Sequence, residues 1–534
     1  MYHISRIKSI ISVFLMAVFL APVFAHAKTP NDPQYLDQSE FYAQISAPDA
    51  WDYATGSSKV VIAIIDTGID SWHDDLATNV WVNPYEISDN GIDDDGNGFI
   101  DDMHGWNFVE NNNNIRPSVF ENINDPEAVR HGTIAAGLIG AVGDNGKNGA
   151  GLNWQVKIMA LRAVDSSGSG SYDSISQAVV YAVKNGASVI SMSVVGEGFD
   201  ENLKKMMRWA YDQGVVLVAA AGNNRYDGRG DLDTNPVYPA CFDSGDQENW
   251  IIGVTAVNKN DQLSRFADYG QCADIAAPGE KIYSIERYAP DYGYKKNFGG
   301  PWQGTSFATP LVAGAAGLIK SLHPEWSAGK IIETILNFGD NISAINQSLG
   351  ITMPPRLNVG TVVKQAYYSR LPVENISYGL TGNNIWMTTG TKKIDLITVL
   401  DARPISFATE YFTDSWSPEF AVLISRPPFL YVQLYKNNGR YWREFSLQNS
   451  KNALGQKILV GRDLDGRSIL TISKYIRKTN QTVWEVYGMT GDLLQNARYK
   501  GVVSDWQMAP NYAGIDAKIK VKGKLTTKRV GWYN

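Results

Sequence analysis

Three short strings in this chain carry side chains that can act on one another: Asp66-Thr67-Gly68, His131-Gly132-Thr133 and Gly304-Thr305-Ser306-Phe307-Ala308-Thr309-Pro310. A serine hydroxyl is a poor nucleophile at neutral pH. It becomes a good one when an imidazole takes its proton and a carboxylate fixes the tautomer of that imidazole. Carboxylate, imidazole and hydroxyl stand here in the order Asp66, His131, Ser306. Together they would attack an electrophilic carbonyl carbon and pass the proton on to the leaving group. Each string alone is ordinary: Asp-Thr-Gly is a common turn, and a histidine followed by glycine could end any helix.

Such groups need a scaffold that brings them together. Between residues 59 and 366 short apolar runs alternate with amphipathic stretches. Residues 60–65, 156–164, 188–193, 215–221 and 251–257 read as buried strands, rich in Val, Ile and Ala with little alternation, as a parallel sheet covered on both faces requires. Residues 173–185 and 201–213 read as helices stopped by Gly186 and Gly214. The expected class is α/β, a doubly wound and mainly parallel sheet followed by a β-rich C-terminal domain. Ligands of such sheets bind at the carboxyl ends of the strands. Asp66 directly follows one strand and Asn223 sits just past another. His131 is expected to open a helix through Ala135, Ala136 and Leu138. Ser306 is expected to open a small-residue helix to Leu322, with Pro310 in its first turn.

The chain has 534 residues, a hydrophobic fraction of 44%, 19% charged residues and a net charge of −7, which supports large cores and does not mark a nucleic-acid binder. Residues 1–27 read as a secretory signal: Arg6 and Lys8, an apolar run over 10–24, then Ala25-His26-Ala27 as a cleavage site. No later segment is apolar enough to span a bilayer. The expected location is therefore extracellular, with cell-surface association left open. Cys241 and Cys272 are the only cysteines, and in a secreted chain they allow either one disulfide or two buried thiols.

The expected division is a signal at 1–27, one domain over 28–368 and a β-rich domain over 369–534. In the last, Val432-Gln433-Leu434-Tyr435 leading to Gly439 and Trp484-Glu485-Val486-Tyr487 leading to Gly491 repeat at an offset of 52 residues (487 − 435 and 491 − 439). Two imperfect copies leave propeller-like or sandwich repeats and unrelated hairpins both open. Lys518, Lys520, Lys522 and Lys524 alternate with Ile519, Val521 and Gly523, the pattern of a charged edge strand.

Taken together and in this order, the strings resemble those of the subtilisin-like serine proteases over roughly residues 29–366. The resemblance implies a secreted serine endopeptidase acting on polypeptides. Ser306 would be its nucleophile, His131 the proton shuttle and Asp66 the orienting acid. Asn223, in Ala220-Ala221-Gly222-Asn223, and the Ser306 N–H would be the donors to the developing oxyanion. Gly168-Ser169-Gly170 and Ser193-Val194-Val195-Gly196 resemble the two strands that pair with substrate main chain. Val195 stands where the family usually has glycine. Val237, at the base of the pocket for the residue before the scissile bond, implies small or medium apolar side chains there. Ile134 and Phe307 replace a usual histidine and methionine, and Phe307 removes an oxidisable thioether beside the site.

The resemblance to thermitase-like members also implies structural calcium and no organic cofactor. Asp32, Asp75 and Asn145 match ligand positions. A second candidate lies in the acidic loop 93–102, where Asp93, Asp95, Asn97 and Asp101 follow EF-hand-like spacing, with His104 instead of Glu at the twelfth place. The cysteine-bearing segments lie side by side in the family, which implies that Cys241 and Cys272 are paired. Behind a leader cut at Ala27 there is no room for a folding prodomain before the family-like residues. The alternative reading is an inert adhesion protein that binds through its C-terminal β domain, whose partner the sequence does not name.

Overall fold

The computed structural model describes residues 28–120 and 126–369 continuously and, between 376 and 530, the segments that carry fourteen further strands. The signal-peptide reading of 1–27 lies outside the described residues.

Helices α1 (Tyr35–Gln44) and α2 (Ala47–Trp51) precede the long strand β1 (Gly56–Asp66) and the short β2 (Gly105–Asn107). There follow α3 (Pro126–Gly140), β3 (Gln155–Arg162), α4 (Tyr172–Lys184), β4 (Val189–Met192), α5 (Glu201–Asp212), β5 (Val216–Ala220), β6 (Ile252–Val257) and β7 (Ile275–Pro278). The antiparallel pair β8 (Ile282–Ile285) and β9 (Phe298–Trp302) leads to α6 (Thr305–Leu322), α7 (Ala328–Asn337) and α8 (Val359–Ser369). Strands β1 to β7 form one sheet in the order β2-β3-β1-β4-β5-β6-β7, with every neighbour parallel. Every residue of β5 and β6 is buried, so both faces of the sheet are covered. Helices α3 and α6 pack together on the sheet, as do α4 and α5. The expected doubly wound class holds.

Local chemistry sets the helix ends. Ser171 and Asp200 cap α4 and α5 by accepting from the N–H groups of Ser174 and Leu203. Gly186 and Gly214 follow those helices in the left-handed region. Helix α6 is buried on nearly all sides. A β carbon on its Gly317 would come within 2.6 Å of Ile62, so glycine lets the helix lie close on β1.

Two expectations about the helices change. Helix α3 begins at Pro126, so His131 stands inside the helix and does not open it. Proline at the first helical position loses no hydrogen bond, and Glu127 suits the first turn. Pro310 is the sixth residue of α6 and so lies beyond the first turn.

The C-terminal strands form four sheets. Strands β10 (Ile376–Thr381), β11 (Asn384–Thr389) and β12 (Lys392–Thr398) form the first. Strands β13 (Arg403–Glu410), β14 (Glu419–Arg426), β15 (Phe429–Tyr435) and β16 (Tyr441–Ser446) form the second. Strands β17 (Leu454–Arg462), β18 (Ser468–Ile476), β19 (Gln481–Gly488) and β20 (Leu493–Lys500) form the third. Strands β21 (Asp505–Met508), β22 (Ile515–Val521) and β23 (Lys524–Val530) form the last. The second and third sheets are both four-stranded antiparallel meanders and reproduce the 52-residue offset. Tyr435 donates to Gln433 and Tyr487 to Glu485, both at 2.6 Å. In β14, Ala421 and Leu423 pack with Leu470 and Ile472 of the third sheet, while Val422 and Ile424 pack with Ile385 of the first. The first three sheets thus stack face to face with period-two alternation, as propeller blades do. The edge-strand reading of the lysine run is corrected: β22, with Lys518 and Lys520, pairs on both sides and is the middle strand.

Cys241 and Cys272 are bonded, with their Cα atoms 5.0 Å apart and a sequence separation of 31. They share a small core with Ala221, Leu232, Val237 and Ala273. Closing a loop of this length restricts the unfolded chain by about 3–4 kcal/mol in the chain-entropy treatment. Replacing both cysteines by serine is expected to lower unfolding stability by about 2–4 kcal/mol in urea. An unchanged urea midpoint would speak against that contribution.

Candidate active site

Asp66 is the last residue of β1. Its Oδ1 accepts the Thr67 N–H at 2.7 Å and lies 2.8 Å from His131 Nδ1. The carboxylate is 1% exposed and the imidazole 18%, so the acid is sheltered while the ring reaches a cleft. A proton on Nδ1 leaves Nε2 as the acceptor. Asp66 Oδ2 is buried and has no protein hydrogen-bond partner among the described residues.

The small residues around the pair explain the two strings. A β carbon on Gly132 would sit 2.3 Å from the Gly68 carbonyl oxygen and 3.0 Å from Asp66 Oδ1. One on Gly68, at φ +104°, would sit 2.5 Å from the Ile115 carbonyl. Thr67 Oγ1 donates to the Ala128 carbonyl of α3 and accepts from Gly132 N–H, and Thr133 Oγ1 accepts from Asp70 N–H. The threonines join helix to turn, and the glycines let the two approach. Arg162, also buried, ends β3 directly opposite Asp66 in the sheet and donates to the Thr67 carbonyl at 3.2 Å.

Ser306 is the second residue of α6. Its Oγ lies 3.4 Å from the Ser193 carbonyl, and Ser193 Oγ donates to the Ser306 carbonyl at 2.8 Å. The next ring, Phe307, lies 5.3 Å from that of His131. Asn223 follows β5. Its Oδ1 accepts from the N–H and the hydroxyl of Thr305 at 3.0 and 3.1 Å, which leaves Nδ2 as a donor. Asn223 Nδ2 and Ser306 N each lie 3.7 Å from the point a β carbon on Gly304 would occupy. Two donors therefore border a space that glycine, at φ +146°, leaves open. Behind them the buried Asp268 accepts from Asn224 N and Nδ2. Burial pushes its carboxyl up to about 6, against the pull of those bonds.

A cleft of about 280 Å³ opens beside Asp66, His131 and Ser193. It is lined by Asp66, His131, Gly168, Gly170 and residues 193–196, all read from the sequence, and by Tyr172 and Tyr238, which were not. Gly196 exchanges two main-chain bonds of 2.8 Å with Tyr238. A β carbon on Gly196 would lie 2.8 Å from the Tyr172 hydroxyl. Ser169 Oγ accepts at 3.3 Å from Ser167, and Asp165 Oδ1 accepts from the N–H groups of Ser167 and Ser169, which closes that turn. Val195 is 46% exposed. Val237 is buried in the disulfide core, and its neighbour Tyr238 faces the cleft.

At the first candidate metal position, Asp32 accepts from the N–H groups of Asp144, Asn145 and Gly146, and Asn145 Nδ2 donates to Asp75 Oδ1 at 2.7 Å. Asp75 is fully buried and its Oδ2 has no hydrogen-bond partner among the described residues. Burial, with Asp32 and Asp74 adding repulsion, pushes its carboxyl up to about 8. A buried carboxylate with one oxygen lacking a protein hydrogen bond, near the carboxylate of Asp32, fits a hard cation. In the acidic loop the carboxylates brought together are Glu86, Asp95 and Asp102, with one oxygen of each within 4.8 Å of the others. Asp93 and Asp101 turn their oxygens to the N–H groups of Asn97, Gly98, Asn90 and Gly91, and Asn97 donates to Asp95 and Asp102. A larger cavity, about 780 Å³, borders this loop and is separate from the cleft at His131.

A parallel sheet with acid, base and hydroxyl at its carboxyl edge defines a serine hydrolase. This chain belongs to the subtilase family, whose model matches residues 57–351. It is 36% identical to thermitase of Thermoactinomyces vulgaris over 315 residues, 59% of this chain and 93% of thermitase. It is 33% identical to a thermophilic serine proteinase of Bacillus sp. (strain AK1) over 302 residues, 56% of this chain and 61% of that one. A solved protease of Pseudoalteromonas arctica PAMC 21717 is 28% identical, with a TM-score of 0.48, over 64% of this chain and all of its own. The chain is a subtilisin-like serine endopeptidase, and nothing in these comparisons favours the inert adhesion reading.

Gly132→Ala is expected to separate His131 from Asp66 and cut kcat/KM by roughly 100-fold. Steady-state kinetics beside a folded circular-dichroism spectrum measure this. Near-normal turnover would show that the helix can yield.

Proposed function

We infer that Ser306 attacks the substrate carbonyl while His131 takes its proton and later gives it to the leaving amine. Asp66 holds His131 in the required tautomer and stabilises its charged form. Asn223 Nδ2 and Ser306 N–H receive the negative charge of the tetrahedral intermediate. The 2.8 Å approach of His131 to a sheltered Asp66, beside the Ser193–Ser306 contacts, carries this reading. Residues 168–170 and 193–196 pair with the substrate main chain. Val237 and Tyr238 shape the pocket before the scissile bond, which favours small or medium apolar residues. Residues 28–368 form the peptidase domain, with α8 ending one residue later, and 369–534 the β-rich domain.

Secretion through the leader at 1–27 agrees with the disulfide. Among the described residues no helix is long and apolar enough to cross a membrane. Asp32, Asp75 and Asn145 would hold one calcium ion. Asp95 and Asn97, with Glu86 and Asp102, would hold a second, and Asp93 and Asp101 would shape its loop. The ions would supply positive charge that holds the N-terminal segment and the loop in place.

A fluorophosphonate probe is expected to label the chain and to fail on Ser306→Ala; labelling of that variant would refute Ser306 as the nucleophile. Asn223→Ala should lower kcat by about 10²–10³, the size of the effect measured in subtilisin itself. Chelation should lower the melting temperature, with recovery on added calcium. A melting curve indifferent to both would count against the ion sites.

A further inference from the structure

Helix α6 contains a proline at a place where a regular helix needs a donor. The Ser306 carbonyl would ordinarily accept from the N–H of residue 310, and Pro310 has none. A main-chain acceptor left unpaired in the turn that carries the nucleophile would let that turn loosen. The donor comes from another element. Ser193, the first residue beyond β4 and 8% exposed, donates its hydroxyl to the Ser306 carbonyl at 2.8 Å. Its own carbonyl faces Ser306 Oγ at 3.4 Å. One residue thus addresses both oxygens of Ser306.

We propose that Ser193 is a positioning residue whose hydroxyl takes the place of the N–H missing at Pro310, so that the nucleophile turn is fixed by the cleft-lining segment that follows β4. This rests on Ser306 being the nucleophile. The bond fixes the peptide plane after Ser306 and with it the Ser306 Cα. The attacking Oγ reaches its place from that atom, and the N–H aimed at the oxyanion adjoins it. Misplacement by about 1 Å at such a site can cost on the order of 100-fold. Pro310 frees the carbonyl for this link, and Ser193, in the cleft-lining segment just beyond β4, makes it.

The test is a double-mutant cycle of Ser193→Ala and Pro310→Ala, read as kcat and KM on a peptide amide with melting temperatures alongside. In the Pro310 background, Ser193→Ala is expected to lower kcat about tenfold and to shift KM less than about threefold. In the Pro310→Ala background the restored N–H closes the helix bond, and Ser193→Ala is expected to cost less than about threefold. Equal costs in both backgrounds would overturn the proposal. Should Pro310→Ala not fold, Ser193→Thr, which keeps the hydroxyl, is expected to recover most of the kcat that Ser193→Ala loses. Equal losses in the two would overturn it. Ser306→Ala is assayed in parallel: retained turnover there overturns the nucleophile assignment, whereas an inactive Ser306→Ala with an additive cycle overturns the Ser193 role alone.

Discussion

The site depends on how closely helix α3 approaches the end of β1. His131 Nδ1 reaches Asp66 Oδ1 because Gly132 rests almost on the Gly68 carbonyl, where no side chain fits. The approach is held by hydroxyls: Thr67 and Thr133 bond across helix and turn and satisfy main-chain groups that close packing would otherwise leave dry. The cation Arg162 anchors the same turn from the neighbouring strand. A buried carboxylate is expensive unless hydrogen-bonded, and Asp66 meets that cost through one oxygen shared between main chain and imidazole. A helix displaced by one methyl group would part the acid from the base.

The remaining groups come from the same sheet edge. Asp66 ends β1, Arg162 ends β3, Ser193 follows β4 and Asn223 follows β5; Ser306 starts a helix held at Gly304, whose N–H bonds the Gly279 carbonyl just beyond β7. Parallel strands place these residues side by side though they lie far apart in the chain. Side-chain bonds then orient them: Thr305 aims the Asn223 amide, and Asp268 holds Asn224 behind it. Burial of Asp268 and Asp75 raises both carboxyls. The two are held differently: Asp268 is bonded through both oxygens, while one oxygen of Asp75 has no hydrogen-bond partner among the described residues.

Much of this was legible in the sequence. Continuous Val, Ile and Ala runs fixed the strand positions to within a few residues, because a strand buried on both faces has no room for polar residues. The three strings supplied Asp66, His131 and Ser306, of which Asp66 and His131 come within hydrogen-bond reach, and Gly168, Gly170 and residues 193–196 line the cleft beside them. What escaped depends on approach in space. Arg162 and Asp268 look like ordinary charged residues until burial sets them beside the turn and the Asn224 loop. Tyr172 enters the cleft because it opens α4 there. His131 was placed at a helix start because the apolar pattern through Ala135, Ala136 and Leu138 begins just after it, whereas the helix extends back to Pro126. Glu86 and Asp102 were hidden because EF-hand spacing directs attention to alternate residues, whereas the loop folds Asp93 and Asp101 onto its own main chain. The 52-residue offset did show, and its two tyrosine bonds reveal the same packing in each meander.

The most direct measurement is a crystal structure of the enzyme inactivated by a peptidyl boronate. The account predicts boron on Ser306 Oγ, one boronate oxygen between Asn223 Nδ2 and Ser306 N, and His131 still within hydrogen-bond reach of Asp66. An adduct on another side chain, or His131 parted from Asp66 in the adduct, would contradict it.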